Sequence, residues 1–324
     1  MKGDGHRHVL VTGATGFIGG SLVSSLSTRP GTRVKAVARR QTTNLPTGTP
    51  TVQVDDLGAD TNWTVALNNI QVVVHAAART HFSNDTASDP VSELRKVNVE
   101  GTLTLARQAA ALGVSRFVFV SSIKVNGASS MPGKPFTADD QPDPKDPYGR
   151  SKSEAEVGLH QLAREAEMEV VIIRPPLVYG PCVRAHFLSM MRWINSGVPL
   201  PLGALHNKRS LVALDNLIDL IVTCIDHPAA ANQTFLAGDG ADLSTTELLQ
   251  RIGRTLDKPA RLIPVPVSLL TFVASLLGKR DMAQRLCGSL QVDISKARTL
   301  LGWEPTTSID ECLRRTVEDF KSHL

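Results

Sequence analysis

The stretch Val9-Leu10-Val11-Thr12-Gly13-Ala14-Thr15-Gly16-Phe17-Ile18-Gly19-Gly20 restricts the fold more than any other part of the chain. It reads as a short apolar strand, a glycine turn and the first turn of a helix. Glycine admits positive φ and leaves no Cβ between a ligand phosphate and the backbone. The helix that follows aims unpaired N–H groups and the positive end of its dipole at an anion. A nucleotide pyrophosphate suits such a turn. The spacing is G-x-x-G-x-x-G, not the G-x-G-x-x-G of the dinucleotide fingerprint, and an ordinary tight turn would use the same glycines. The strand before it, the helix after it and its place near the N-terminus favour the nucleotide.

The rest of the chain alternates as that reading requires. A first helix is expected from Phe17 to about Thr28, stopped by Pro30-Gly31. Strands are expected at Val34–Ala38, Thr51–Val54, Val72–Ala78, Phe117–Ser122 and Val170–Arg174. The run at Phe117 is apolar throughout, as in a strand buried on both faces. A helix is expected from about Asp89 to Leu112, and Pro147 opens another. Gly127 to Pro147 reads as a long loop, a length that is usually functional or disordered. This alternation predicts an α/β fold with a doubly wound, mostly parallel sheet. Beyond Arg174 helices and prolines dominate, and Thr234–Ala237 is expected to return to the sheet as a seventh strand. The expected organisation is a dinucleotide-binding domain of residues 1–174 plus 211–237, and a smaller, discontinuous domain of residues 175–210 plus 238–324.

Composition excludes several classes. The apolar share of 42% and charged share of 20% are those of a soluble globular protein. A net charge of +4 with no long Lys/Arg run argues against nucleic acid as a partner. Cys182, Cys224, Cys287 and Cys312 are scattered without a C-x-x-C pair, which suits a reducing compartment and neither a disulfide framework nor a zinc site; no metal is expected. The polar N-terminus reaches the first strand within eight residues, so no signal peptide is expected and a cytoplasmic location follows. Leu262 to Gly278 is the least polar run and carries no charge. It contains Pro264 and Pro266 and is shorter than the ~20 residues of a spanning helix. A buried or partner-facing amphipathic helix is expected there in preference to a membrane contact.

The end of the second strand should meet the adenosine ribose, where an acidic residue selects NAD. This chain has Ala38 there, then Arg39 and Arg40. Guanidinium groups make bidentate, charge-assisted bonds to phosphate, so the pattern suits the 2′-phosphate of NADP better than NAD; two solvated surface arginines are the plainer alternative. Asp56 closes the third strand and either accepts from the adenine amino group or caps a helix. His75 fits a packed histidine better than a catalytic one. Asn98 either bonds backbone near the site or fills a packing gap.

Tyr148 and Lys152 stand four apart in an expected helix and so share a face. A phenol with pKa near 10 is a poor acid–base at neutral pH. A lysine ammonium and a nicotinamide cation favour the phenolate and bring it toward working range. Ser122, at the end of a central strand, can hydrogen-bond the same substrate oxygen. The set suits hydride transfer at a carbinol carbon, with the tyrosine exchanging the proton.

Together, Gly13-x-x-Gly16-x-x-Gly19, Ser122 and Tyr148-x-x-x-Lys152 resemble the extended short-chain dehydrogenase/reductase family, and within it the NAD-dependent epimerase/dehydratase branch acting on nucleotide sugars. The resemblance covers nearly the whole length. It implies a Rossmann domain, a C-terminal domain that holds a nucleoside diphosphate sugar, and a homodimer built through a four-helix bundle. It implies cofactor contacts at Gly13, Thr15, Gly16, Phe17, Ile18, Gly19, Asp56, Leu57, Ala76, Ala77, Ala78, Asn98 and Pro175, besides Arg39, Arg40, Tyr148 and Lys152. It implies substrate contacts at Lys124, Arg184, Lys208, Arg209 and Arg285.

Departures from the family pattern narrow the activity. The sugar 4,6-dehydratases carry Thr-Asp-Glu where this chain has Ser122-Ile123-Lys124, so no acid–base pair is in place to eliminate water. The 4-epimerases usually keep an asparagine shortly after the sixth strand and an aspartate that grips NAD; this chain has Arg174-Pro175-Pro176-Leu177 and Ala38. An epimerase retains its cofactor through oxidation and re-reduction, whereas a reductase exchanges it at each turnover. The run Lys208-Arg209-Ser210-Leu211-Val212-Ala213-Leu214-Asp215-Asn216-Leu217 looks like that of bacterial 4-keto-sugar reductases serving O-antigen and polysaccharide synthesis. The expected reaction is reduction of the C4 ketone of a UDP-4-keto-6-deoxy-N-acetylhexosamine with NADPH. The alternative is a UDP-glucose or UDP-N-acetylglucosamine 4-epimerase, with NAD. A noncatalytic NADP sensor would usually lose Tyr148 or Lys152, and a steroid or flavonoid reductase would not need Lys208, Arg209 and Arg285 around a diphosphate.

Overall fold

The glycine turn does follow a strand and open a helix. In the computed structural model, which describes residues 6–40, 45–80, 89–131, 133–278 and 280–324, β1 (Arg7–Thr12) leads through the turn into α1 (Phe17–Ser27). Then come β2 (Thr32–Ala38), β3 (Thr51–Gln53), α2 (Thr64–Leu67) and β4 (Val72–His75). The helix expected from Asp89 to Leu112 is present but interrupted: α3 (Pro90–Arg95) and α4 (Thr102–Ala111) are joined by a π turn at Lys96–Gly101. Next are β5 (Arg116–Val120), a 3₁₀ turn (Ile123–Val125), α5 (Pro147–Glu165) and β6 (Glu169–Arg174).

The central sheet is parallel throughout, in the order β3-β2-β1-β4-β5-β6-β9, where β9 (Thr234–Leu236) is the expected seventh strand. Period-2 packing explains why its strands read as unbroken apolar runs. Val9 and Val11 of β1, with Val118 and Val120 of β5, face α1 and α7 (Leu214–Asp226). Leu10, Phe117 and Phe119 face α4 and α5 on the other side. Arg116 anchors α7 from below, donating to the carbonyls of Cys224, Ile225 and His227 at the helix C-terminus, where a cation complements the dipole.

A second, three-stranded sheet was not expected from the sequence. It comprises β7 (Leu177–Tyr179), β8 (Arg209–Ala213) and β10 (Asp242–Leu243), in the order β10-β8-β7. Strands this short carry too little alternation to read. Around it α6 (Ala185–Asn195), α8 (Thr245–Thr255) and α12 (Ile309–Ser322) enclose a core containing Tyr179, Phe187, Leu249 and Leu313. Half-buried Asp239 ties this layer to the central sheet by accepting from Tyr179 Oη (2.9 Å), Ala213 N (2.8 Å) and Asn216 Nδ2 (2.8 Å). α9 (Val267–Leu276), α10 (Arg280–Cys287) and α11 (Ser295–Leu301) complete the chain. Of the two readings of Leu262–Gly278, buried or partner-facing, the buried one is corrected, because α9 has no buried residue. It touches the second core through half-buried Leu270 and shares a hollow with α10. Among the described residues, no helix is long and apolar enough to cross a membrane.

Candidate active site

In a doubly wound sheet the ligand crevice opens where the strand order reverses, at the C-terminal ends of the strands. Here that point lies between β1 and β4, and the glycine turn stands on it. Gly13 has φ +69°, and a methyl group on it would lie 2.7 Å from Ala77 N. A methyl on Gly19 would lie 2.2 Å from the Gly13 carbonyl oxygen. The turn, the first turn of α1 and the chain leaving β4 are thus in backbone contact, and only glycine fits. The N-cap of α1 is Gly16, which supplies no side-chain cap, and no acidic residue stands in the first turn, so the dipole is left for an external anion. Thr15 and Gly16 are exposed, Phe17 and Ile18 half-buried, and Ala76, Ala77 and Ala78 line the other lip, half-buried. β4 is shorter than expected and ends at His75, so these alanines belong to the turn.

His75 is buried, as a packed histidine should be. Thr102 Oγ1 gives its one proton to Asn98 O (2.8 Å) and therefore accepts from His75 Nε2 (3.0 Å). His75 Nδ1 then accepts from Thr12 Oγ1 (2.7 Å). Burial, with Lys152 adding a smaller push, lowers its pKa to about 3, so the ring is a neutral strut between β1, β4 and α4.

At the adenosine end, β2 stops at Ala38, and Arg39 and Arg40 follow it exposed. Asp56 caps no helix, since α2 begins only at Thr64. Its carboxylate accepts from Leu57 N (2.8 Å) and Lys96 Nζ (2.8 Å), and the Lys96 bond holds it below the usual carboxylate range. Leu57 is half-buried beside it. Asn98 takes the first of its two expected roles: its amide accepts from Arg79 N (2.9 Å) and donates to Arg79 O (3.0 Å) and Ser151 Oγ (3.0 Å). It clamps the chain leaving β4 to the helix carrying Tyr148 and Lys152. Asn98 and Lys96 both sit in the π turn, a distortion found often at functional sites that the sequence pattern did not signal.

The start of α5 packs against the turn after β5: a methyl on Gly149 would lie 2.7 Å from Lys124 O. Asp146, overlooked in the sequence, joins the two. One of its oxygens caps α5 by accepting from Gly149 N (2.7 Å), and the other takes Lys124 Nζ (2.5 Å). Its signal was an aspartate directly before Pro147 at the first helical position. Lys124 Nζ lies 5.5 Å from the centroid of the Tyr148 ring. Half-buried Ser122 caps the 3₁₀ turn, accepting from Lys124 N (3.3 Å). Pro175, at the end of β6, accepts from Ile123 N (3.0 Å). Lys152 is buried, donates to Val120 O (2.9 Å) and lies 4.3 Å from the centroid of the Phe119 ring. Burial lowers its pKa to about 7 against the opposing pull of Glu156. Burial, seconded by the Asp146 charge, raises the Tyr148 phenol above its ordinary value. The expected lowering of that group is therefore not a property of the protein groups alone.

Beneath the site lies a buried charge cluster that the sequence analysis missed. Glu156, one turn beyond Lys152, accepts from Arg174 through both oxygens (2.6–3.1 Å) and from Ser121 Oγ in a very short bond. Arg174 Nη1 also donates to Asn126 Oδ1 (3.0 Å). The residue next to Ser122 and the helix bearing Lys152 are thus pinned to one ion pair. A glutamate four residues after Lys152, on the buried face of α5, was the available clue.

Of the cations suggested for a diphosphate, Arg209 lies beside Arg285 and its chain neighbour is Lys208. The charge of Arg285 reaches Asp146 at the site. Arg209 is directed at backbone, donating to Arg285 O (2.8 Å) and Gly288 O (3.1 Å). Lys208 stands 4.0 Å from Glu247. Arg184 is exposed at the start of α6. No group of three or more His, Cys, Asp or Glu able to hold a metal occurs among the described residues.

The NAD dependent epimerase/dehydratase family model matches residues 9–238. A UDP-glucose 4-epimerase of Vibrio cholerae is 48% identical over 97% of this chain and 95% of its own length. An N-acetyl-alpha-D-glucosaminyl-diphospho-ditrans,octacis-undecaprenol 4-epimerase of Escherichia coli O157:H7 is 26% identical over 96% of this chain and 94% of its own. Among solved structures, the UDP-glucuronic acid 4-epimerase of Bacillus cereus in complex with NAD has a TM-score of 0.80 at 22% identity, covering 98% of this chain and 99% of that one.

Proposed function

The chain belongs to the NAD-dependent epimerase/dehydratase family, and on that premise we propose that it works at C4 of a UDP-linked sugar, reducing the ketone of a UDP-4-keto-6-deoxy-N-acetylhexosamine with NADPH. The observation that supports the C4 chemistry is the packing of the start of α5, which carries Tyr148 and Lys152, against the turn that Ser122 opens after β5, with Lys152 donating to Val120 O two residues before Ser122. The glycine turn suits a dinucleotide pyrophosphate, because α1 opens on Gly16 with no side-chain cap and no acidic residue in its first turn. Residues 1–174 plus 211–237 would hold the cofactor and the remainder the sugar nucleotide. A bound nicotinamide supplies the hydride that the sugar carbon receives. Tyr148 gives its phenolic proton to O4, Ser122 Oγ donates a hydrogen bond to the same oxygen, and the Lys152 ammonium offsets the phenolate left behind. Ile123 and Lys124 occupy the positions where dehydratases have their acidic pair, and the nearby Asp146 carboxylate is engaged by Lys124 and by the N-terminus of α5.

Reductase rather than epimerase is supported by Ala38 at the end of β2 and the two exposed arginines after it. The second reading, a 4-epimerase working with NAD, is favoured by the Vibrio cholerae relative. Two incubations of the purified protein separate them. The 4-keto sugar with NADPH should consume NADPH, and UDP-N-acetylglucosamine without added cofactor should remain unchanged. Epimer in the second tube with no NADPH consumed in the first overturns the reductase reading.

Arg39→Ala/Arg40→Ala tests cofactor choice independently. Loss of a charge-assisted bond to the 2′-phosphate should weaken NADPH by about 1.5–3 kcal/mol and leave NADH nearly unaltered. A variant that discriminates as the wild type does would remove these arginines from the site.

A further inference from the structure

α9 faces outward with the side chains that other helices bury. Leu269, Phe272, Val273 and Leu276 fall at i, i+3, i+4 and i+7, the spacing of a core-facing stripe, yet they are 50%, 61%, 44% and 72% exposed. Ile263, Val267 and Leu277 extend the patch. Leu270, Ala274 and Ser275 are half-buried, Leu270 against the second core, and Ser268, Thr271, Phe272 and Ser275 line an open hollow of about 600 Å³ shared with Gln284 and Cys287 of α10. The helix is thus anchored through Leu270 and leaves most of its apolar side chains on the outside. Lys258 and Arg261 stand exposed on the approach to it. No acidic residue occurs between Lys258 and Lys279.

We infer that α9 seats the protein on an anionic phospholipid surface. This surface lies outside the proposed reaction and does not depend on it. A short helix with an apolar stripe and cationic borders lies in the interfacial plane, the stripe at the headgroup–acyl boundary and the cations toward lipid phosphates. A second copy of the chain fits less well. Ten residues make a strip about 15 Å long and about 10 Å wide, far short of the ~800 Å² per partner of a stable interface.

Flotation of the full chain with phosphatidylcholine vesicles, and with vesicles that also contain phosphatidylglycerol, tests the inference. Binding to the anionic vesicles should exceed binding to the neutral ones by about tenfold or more, since each cation near the surface contributes about a factor of five, and should weaken at about 1 M salt. Phe272→Ser/Leu276→Ser should lose about tenfold or more of this binding while keeping the wild-type helix content and turnover. A wild type that floats with neither vesicle, or with both equally, overturns the inference. So does a double variant that floats as well as the wild type. If the wild type proves to be an oligomer that the double variant dissociates, a second copy covers α9 and the lipid assignment is wrong.

Discussion

Tyr148→Phe should lower turnover by about 10²–10⁴-fold, the span of general acid–base catalysis, with cofactor affinity within a few-fold of wild type. The phenylalanine keeps the ring against Lys124 and removes only the proton-bearing oxygen. Unchanged turnover would end the mechanism proposed above. The same site predicts a pH dependence with a defined sign. Burial lowers Lys152 to about pKa 7, so its cationic form declines as pH rises through that value. The phenol, which the protein raises, then loses the charge that offsets its phenolate. The kcat/KM profile, which reports the free enzyme, should fall on the alkaline side with a midpoint about 7. Glu156 opposes the lowering of Lys152, so Glu156→Gln should move that limb to lower pH. A profile flat from neutral to alkaline pH would mean that the Lys152 charge is not used.

The largest loss of stability should come from the buried pair below the site. Glu156 and Arg174 have side chains only 3% and 5% exposed, with a closest approach of 2.6 Å. Glu156→Ala leaves a guanidinium buried without its carboxylate and frees Ser121 from its acceptor. Breaking such a pair typically costs about 3–5 kcal/mol. Replacing both partners, as in Glu156→Leu/Arg174→Met, removes the uncompensated charge and should recover most of that loss. Chemical denaturation of Glu156→Leu, Arg174→Met and the double variant gives the coupling directly. A single variant as stable as wild type, or a double variant whose loss is the sum of the two singles, contradicts this account.

Local pattern determined much about this protein. The run from Val9 to Gly20 specified strand, glycine turn and helix, and the strands at Val72 and Phe117 were legible because burial on both faces needs unbroken apolar runs. The return of Thr234–Leu236 to the sheet followed from the same pattern. The i, i+4 spacing of Tyr148 and Lys152 put them on one helix face before any tertiary contact was known. These features depend on neighbours within a few residues, which a sequence displays.

The tertiary structure decided what depends on partners far along the chain. The Arg174–Glu156 pair, the Asp56–Lys96 bond and the clamp of Asn98 on Arg79 join residues 18 to 40 positions apart. No periodicity records such distances. The π turn shifts the register of one helix by a residue, and hydropathy does not resolve a shift that small. α9 shows the same division: its spacing declared an apolar stripe, but only the seating of Leu270 against the second core decided that Leu269, Phe272, Val273 and Leu276 stay exposed. An amphipathic pattern gives the angle between two faces and not the side on which the rest of the molecule lies, because that side is chosen by contacts the helix does not itself contain.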